Sequence, residues 1–173
     1  ARRFAREKRF QTAVLFLRGL IAPDALGGIL SALADAVLNR LCPLVVADYE
    51  QSAGKMAGGK CALVLLGKAG SREMTFSSDL DILFLYDAPD GALSDAKKPL
   101  FPNVYYARLA QRMVNALSLN TREGVLWAVD MRLRPSGNAG PAAVSLPAFT
   151  RYYDAEAWTW ELMALTKARA AWG

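Results

Sequence analysis

Apolar residues recur along this chain at two different periods, and the changes of period mark out its elements. In residues 1–21, Phe10, Val14, Leu17 and Ile21 return at helical spacing among basic residues, the pattern of an amphipathic helix. Pro23-Asp24 opens a second helix, with Leu26, Leu30, Leu33, Val37 and Leu41 as its apolar stripe. Pro43 kinks or ends it, because proline removes an intrahelical hydrogen bond; a helical continuation to about Ser52 is also compatible with the pattern. Residues 53–59 are a Gly-rich loop, and because Gly58-Gly59-Lys60 precedes a strand instead of linking strand to helix, it is not a P-loop. The short apolar run 61–66 has the character of a strand buried on both faces. Residues 71–74 fit one helical turn. Residues 80–86 alternate as a strand with Leu80, Ile82, Phe84 and Tyr86 on its core side.

Proline and glycine signals make residues 88–102 a loop. A third helix follows, with Tyr105, Leu109, Met113 and Leu117 on one face. Residues 124–140 then return to period two. Trp127, Val129, Met131 and Leu133 fall on one face of this strand, and Asp130, Arg132 and Arg134 on the other. It reads either as a core strand bordering a site or as an edge strand with a solvated face. Pro135-Ser136-Gly137 ends it, and residues 142–146 offer a hairpin partner. Pro147 opens another helix, and residues 158–172 read as the last one, with its aromatics used in packing.

The 173 residues fit one domain, or one with a small helical appendage. An apolar fraction of 53% argues against disorder. No run reaches about 18 uncharged apolar residues, so no membrane partner is expected. No apolar segment with a cleavage site follows the Arg-rich start, so a cytoplasmic location is expected. The chain begins at Ala1 without Met and reads as a fragment of something longer. Cys42 and Cys61 sit in apolar settings and read as reduced core thiols. The absence of histidine excludes His-based acid–base catalysis and His-ligated zinc within this chain. A net charge of +5 suits a nucleoside triphosphate. The cluster Arg2, Arg3, Arg6, Lys8 and Arg9 reads as a solvated helix face, and no nucleic-acid partner is expected.

The chemistry concentrates in residues 67–87, GKAGSREMTFSSDLDILFLYD. Asp79 and Asp81, two apart at the head of a strand, point to the same face. Carboxylates held side by side repel each other, and a divalent cation relieves that repulsion; Mg²⁺ takes carboxylate oxygens together with substrate phosphates. The small Gly70-Ser71 turn lets backbone N–H groups and one hydroxyl approach a phosphate. Alone, an Asp-x-Asp pair is as well read as a solvated strand end, and a Gly-Ser pair as a plain turn. The ordered set of strand, Gly-Ser, Asp-x-Asp and strand is more specific. It resembles the signature of the polymerase-beta-like nucleotidyltransferase superfamily and points to metal-dependent transfer of a nucleotidyl group.

With VDMRLRPSG from Val129 added to GKAGSRE from Gly67 and SDLD from Ser78, the chain resembles the glutamine synthetase adenylyltransferase family. Those large bifunctional bacterial enzymes attach AMP to glutamine synthetase and remove it, using two related nucleotidyltransferase halves. Each half carries a GKLGG-like turn, an SDLD or SDID pair and a D-x-RLRP strand. The ending AWTWELMALTKAR, from Ala157 to Arg169, is also similar. Two departures are Ala69 in place of the usual Leu and Ser71 in place of Gly.

The resemblance implies an α+β fold: a polymerase-beta-like core with a small mixed sheet flanked by helices. A helical hairpin of residues 1–56 packs on the core of residues 57–173. It implies ATP as substrate, two Mg²⁺ ions, and Asp79, Asp81 and Asp130 as the metal carboxylates. Gly70 and Ser71 would meet the outgoing pyrophosphate, with Lys68 and Arg72 as further phosphate candidates. Arg132 and Arg134 either neutralise phosphate charge or pair with the carboxylates and fix their rotamers; a structural role is favoured for Arg134. Glu161 reads as a helix-anchoring salt bridge. Implied partners are glutamine synthetase as protein substrate and a PII-type signalling protein as regulator. RLRPSG and AWTWE are similar to the adenylylating half. Gly140-Pro141 and Thr166-Lys167-Ala168-Arg169 lean toward the deadenylylating half. A catalytically silent docking or sensing fragment is the reading from another class.

Overall fold

The computed structural model describes residues 1–173 as six α-helices and five short strands. Strands β1 (Lys60–Leu65) and β2 (Leu80–Asp87) form its antiparallel centre, in register from Lys60 opposite Asp87 to Leu65 opposite Ile82. Strand β3 (Val129–Asp130) and strand β4 (Val144–Ser145) both run parallel to β2. They share its outer edge, β3 beside Leu80 and Asp81, β4 beside Leu85 and Tyr86. Strand β5 (Arg169–Trp172) runs antiparallel along the free edge of β1. The sheet is therefore small and mixed, and the fold is α+β.

One core of 26 buried residues joins Leu63, Leu65, Leu80, Ile82 and Phe84 to helices α2 (Pro23–Ala53) and α4 (Pro102–Ser118). It extends from Ala5 to Ala171, so the N-terminal helices share it with the sheet. The opposite side of the sheet buries Leu66, Leu83 and Val144 under helix α5 (Leu146–Ala155). Each fully buried Leu, Ile or Phe contributes roughly 1.5–3 kcal/mol from apolar area removed from water. Helix α4 buries Tyr105, Leu109, Met113 and Leu117, the stripe read from the sequence. Both cysteines are free thiols; burial pushes Cys42 up to about 12 and Cys61 to about 11.

Several elements depart from the periodic reading. Helix α2 passes through Pro43 unbroken and ends at Gly54, a positive-φ residue. It is long and apolar enough by length and composition to span a bilayer. Its Leu30, Ala34, Val37, Leu38, Cys42 and Tyr49, however, are buried against the protein's own core. Helix α1 (Arg2–Leu17) does not pack by its apolar stripe: Phe10 is 70% exposed and Leu17 83%. It docks by its basic side. Arg2 donates to the carbonyls of Ala116 and Leu119 at the C-terminal end of α4, where backbone acceptors lack helical partners. Arg9 likewise donates to the carbonyls of Phe76 and Leu126. These two arginines are thus docking groups and not a solvated face.

The expected turn at residues 71–74 lies earlier, as helix α3 (Gly67–Gly70), and the left-handed φ of +62° at Arg72 stops it. The long strand of residues 124–140 shrinks to the two residues of β3. Residues 142–146 form no hairpin with it, because β4 pairs with β2 instead. The last helix, α6 (Thr159–Leu165), is only seven residues long. Beyond it the chain becomes β5, because the unpaired edge of β1 gives those backbone groups a ladder to join. Trp158 and Trp160 are 72% and 55% exposed and do not pack in the core.

A buried-side ion pair ties the last strand to the rest. Arg169 on β5 makes a bidentate contact with Asp35 on α2, at 3.0 and 2.9 Å. Its remaining N–H groups donate to the carbonyls of Gly70 (3.2 Å) and Ala69 (3.0 Å) at the end of α3. Both side chains are about four-fifths buried. Asp35→Ala leaves that guanidinium without its counter-charge and is expected to cost about 1.5–3 kcal/mol. Urea denaturation measures this; a loss under roughly 0.5 kcal/mol, the range of ordinary surface changes, contradicts the clamp.

Candidate functional site

The parallel seam between β2 and β3 places the carboxylates. Leu80 pairs with Val129 and Asp81 with Asp130, so the two aspartates lie side by side on adjacent strands. The Leu80 N–H donates to the Ala128 carbonyl at 2.9 Å, which fixes the seam one residue before the ladder begins. Asp79 precedes β2 and stays exposed. The turn before it is knotted by its own hydroxyls: the Thr75 N–H donates to Ser78 Oγ (2.9 Å), and the two hydroxyls lie 3.0 Å apart. One carboxylate oxygen from each of Asp79, Asp81 and Asp130 lies within 4.8 Å of the other two. The donor set is entirely carboxylate oxygen, which suits a hard divalent cation and not a soft one.

The electrostatics of the three differ. Burial, then the neighbouring charges of Asp79 and Asp130, push the Asp81 carboxyl above its ordinary value, with Arg132 opposing. Asp130 goes the other way, chiefly through its hydrogen bond to the Arg132 side chain. The Arg132 backbone N–H donates to Asp130 Oδ1 at 2.8 Å, and its Nε donates to Oδ2 at 2.8 Å. Arg132 Nη2 donates to Oδ2 as well. The backbone contact also explains the short strand: the Asp130 side chain captures the N–H two residues on and turns the chain out of the ladder.

Helix α3 closes the other side. The Leu66 N–H donates to the Asp81 carbonyl at 2.9 Å. Gly67, with φ +51°, lies so close that a Cβ there would stand 2.1 Å from Asp81 Oδ2. Only glycine permits this approach, and Gly67 is a site residue that the paired-carboxylate pattern did not single out. The available signal was its position directly after the apolar run of β1.

The turn residues have definite places. Lys68 is exposed on α3, next to Gly67. Gly70 is buried, with the Lys167 carbonyl filling the space of its missing Cβ at 1.9 Å. Its N–H donates to the Leu66 carbonyl (2.8 Å), and that of Ser71 to Gly67 (3.1 Å). The Ser71 hydroxyl donates to Glu73 at 2.6 Å. Arg72 points to Asp35 on α2, at 3.4 Å. Arg134 does not touch the carboxylates; its guanidinium holds the carbonyls of Met131 (2.7 Å), Gly140 (3.2 Å) and Asn138 (3.4 Å), bracing the loop after β3. Glu161 forms no salt bridge. It is 3% exposed and accepts the Trp158 N–H at 2.8 Å and the Tyr152 hydroxyl at 2.9 Å. It is a cap at the start of α6.

The shifted carboxyls have opposite consequences for stability. The folded protein holds the Asp81 proton more tightly than the unfolded chain does, so ionising Asp81 penalises folding. That penalty is absent below the ordinary carboxylate range and complete above the raised value. Asp130 contributes stability above the ordinary range and loses it as pH falls through its lowered value. Asp81→Asn is therefore expected to raise the melting temperature of the metal-free protein near neutral pH, with the gain vanishing by about pH 3, below the ordinary aspartate value. Melting curves in chelator at both pH values check this, and a lower melting temperature for the variant near neutrality contradicts it.

Comparison with known proteins places the chain in a family. The family model described as glutamate-ammonia ligase adenylyltransferase matches residues 1–173. A protein of Brucella suis is 49% identical over 171 residues, covering 98% of this chain and 17% of its own length. Relatives from Mesorhizobium japonicum and Caulobacter vibrioides are each 47% identical, covering 98% and 99% of this chain and 17% of theirs. All three carry the name bifunctional glutamine synthetase adenylyltransferase/adenylyl-removing enzyme. The chain thus spans about a sixth of the curated relatives it matches. A match along the full chain, with the carboxylates gathered on one seam, assigns it: the chain belongs to the glutamate-ammonia ligase adenylyltransferase family.

Proposed function

We propose that this chain is the adenylylating nucleotidyltransferase half of such an enzyme, built on a polymerase-beta-like core. It transfers AMP from ATP to a tyrosine hydroxyl of glutamine synthetase. The hydroxyl oxygen bonds to the α-phosphorus, and the bond from that phosphorus to the departing pyrophosphate breaks. The observation that carries this reading is the gathering of Asp79, Asp81 and Asp130 at the β2–β3 seam, with oxygens within 4.8 Å, in a chain of this family.

Those three residues would hold two Mg²⁺ ions, with Asp79 and Asp81 assigned chiefly to the triphosphate and Asp130 to the incoming hydroxyl. Bound there, the ions would supply Lewis-acid stabilisation of the charge on the attacking and leaving oxygens. The all-oxygen donor set, and an Asp81 carboxyl raised by burial and by the neighbouring carboxylates, both fit a divalent cation. Around them the chain's own groups do the positioning. Gly67 lets α3 approach Asp81, and the exposed Lys68 beside it would offer its ammonium to the pyrophosphate. Gly70 and Ser71 act by shaping that turn, since their N–H groups are bonded within it. Arg134 braces the loop that follows Asp130. By family likeness, a PII-type protein would regulate the whole enzyme.

RLRPSG with Ser136, and AWTWE with Glu161, favour the adenylylating half. Gly140-Pro141 and Thr166-Lys167-Ala168-Arg169 keep the phosphorolytic half as the second reading. A two-metal site runs the displacement either way, so the flanks and not the carboxylates decide.

In the intact protein, with glutamine synthetase and labelled ATP, Asp79→Asn and Asp81→Asn are each expected to cut AMP transfer by more than the roughly 10–100-fold that loss of an outer-shell partner causes. Undiminished transfer at low Mg²⁺ contradicts the metal assignment. Asp130→Ala is expected to abolish transfer while weakening Mg·ATP binding less than Asp79→Asn does; collapsed binding with residual transfer reverses the two roles. With both Asp79 and Asp81 changed, loss of AMP attachment with retained phosphate-dependent removal identifies the adenylylating half. The opposite pattern identifies the other.

A further inference from the structure

Arg132 occupies an unusual position for a residue of a metal site. Its side chain is 72% exposed, yet three of its donors converge on one carboxylate. Both lone-pair directions of Asp130 Oδ2 are taken by the guanidinium, and one of Oδ1 by the backbone N–H. A carboxylate in that state is a poor metal ligand. Its best oxygen is blocked, and a full positive charge stands where a cation would approach. Arg132 is also the only cation in a salt bridge with Asp79, Asp81 or Asp130. Arg134, two residues on, is held away by backbone carbonyls.

We propose that Arg132 is an exchangeable counter-ion: it neutralises Asp130 while the site is empty, and moves to a phosphate of the nucleotide when Asp130 takes up metal. The inference rests on the reading of the carboxylates as a metal site and deepens it by assigning the residue that links metal to nucleotide. Three physical features support the exchange. The Arg132 side chain is 72% exposed, although Asp130 is only 14% exposed, so the guanidinium regains its hydration as it leaves the carboxylate. The contact is a planar fork, and the fork that fits a carboxylate fits two phosphate oxygens equally. Arg132 is anchored only through its own backbone N–H, which donates to Asp130 Oδ1 independently of the guanidinium. The side chain can therefore swing while the loop keeps its shape. The exchange keeps charge balanced at each stage: the arginine offsets the carboxylates first, and the triphosphate afterwards.

The variants separate this exchange from a merely structural role. Removing the competing charge in Arg132→Ala should tighten binding of Mn²⁺ alone, without nucleotide, by about tenfold, the order expected for a unit charge acting on a divalent ion a few ångström away at an exposed site. The same variant should bind the Mg²⁺ complex of non-hydrolysable α,β-methylene-ATP about tenfold more weakly. Arg132→Lys, which keeps the charge without the fork, should retain near-native Mn²⁺ affinity and lose part of the nucleotide affinity. Mn²⁺ binding is read from the free-ion electron paramagnetic resonance signal, and nucleotide binding by calorimetry. Asp81→Asn serves as the control for the site itself. If Asp81→Asn loses Mn²⁺ while Arg132→Ala binds it no more tightly than the native protein, the exchange is overturned and the metal site stands. If Arg132→Ala tightens Mn²⁺ but leaves nucleotide affinity unchanged, transfer to phosphate is overturned. If Asp81→Asn binds Mn²⁺ as the native protein does, both the metal reading and the exchange fail.

Discussion

A two-residue parallel ladder carries the site. Leu80 beside Val129 and Asp81 beside Asp130 are the whole of the β2–β3 pairing, and without it the third carboxylate has no reason to stand near the first two. So short a ladder cannot hold itself together. It is held from behind by the burial of Leu80, Ile82 and Trp127 in the main core. It is held in front by the loop that Arg134 pins through three carbonyls. The rest of the fold supports this seam. Helix α2 and strand β5 are joined by the Asp35–Arg169 pair, which also clasps the end of α3 and so sets the turn that meets Asp81.

The seam creates an electrostatic problem together with its partial answer. Three carboxylates that each bring an oxygen within 4.8 Å of the others repel one another, and Asp81 is raised by its burial and then by the charges of Asp79 and Asp130. Asp130 is relieved by Arg132, while Asp79 faces solvent. A site that stores repulsion in this way favours whatever cation arrives, and its stability depends on which groups are ionised. The close approach of Gly67 keeps the oxygens of Asp81 beside the turn that begins α3, so any larger residue there would push that turn away from the seam.

The carboxylates were legible in the sequence because a period of two on a buried strand leaves little freedom. Leu80, Ile82 and Phe84 must go to the core, and Asp79 and Asp81 then share the other side. Helix α4 was legible for the same reason at period 3.6. What escaped was decided by contacts with no periodic signature. The alternation from Trp127 to Leu133 promised a long strand, but the Asp130 carboxylate takes the Arg132 N–H and ends it after two residues. The end of the expected last helix, from Arg169 to Trp172, becomes strand because β1 has an edge to cover. Helix α1 shows its apolar stripe to solvent because Arg2 and Arg9 find unpaired carbonyls on the other side. Glu161, legible as an anchor, anchors through hydrogen bonds to Trp158 and Tyr152 and not through a cation.

The central claim is that the seam brings the three aspartates together to hold divalent metal beside a nucleotide. Crystals grown with Mn²⁺ and non-hydrolysable α,β-methylene-ATP test it directly through anomalous scattering from manganese. The account predicts peaks ligated jointly by Asp79, Asp81 and Asp130, with the triphosphate alongside. Manganese found only on the triphosphate, with Asp130 still closed on Arg132 and no carboxylate of the seam in its coordination shell, would contradict it.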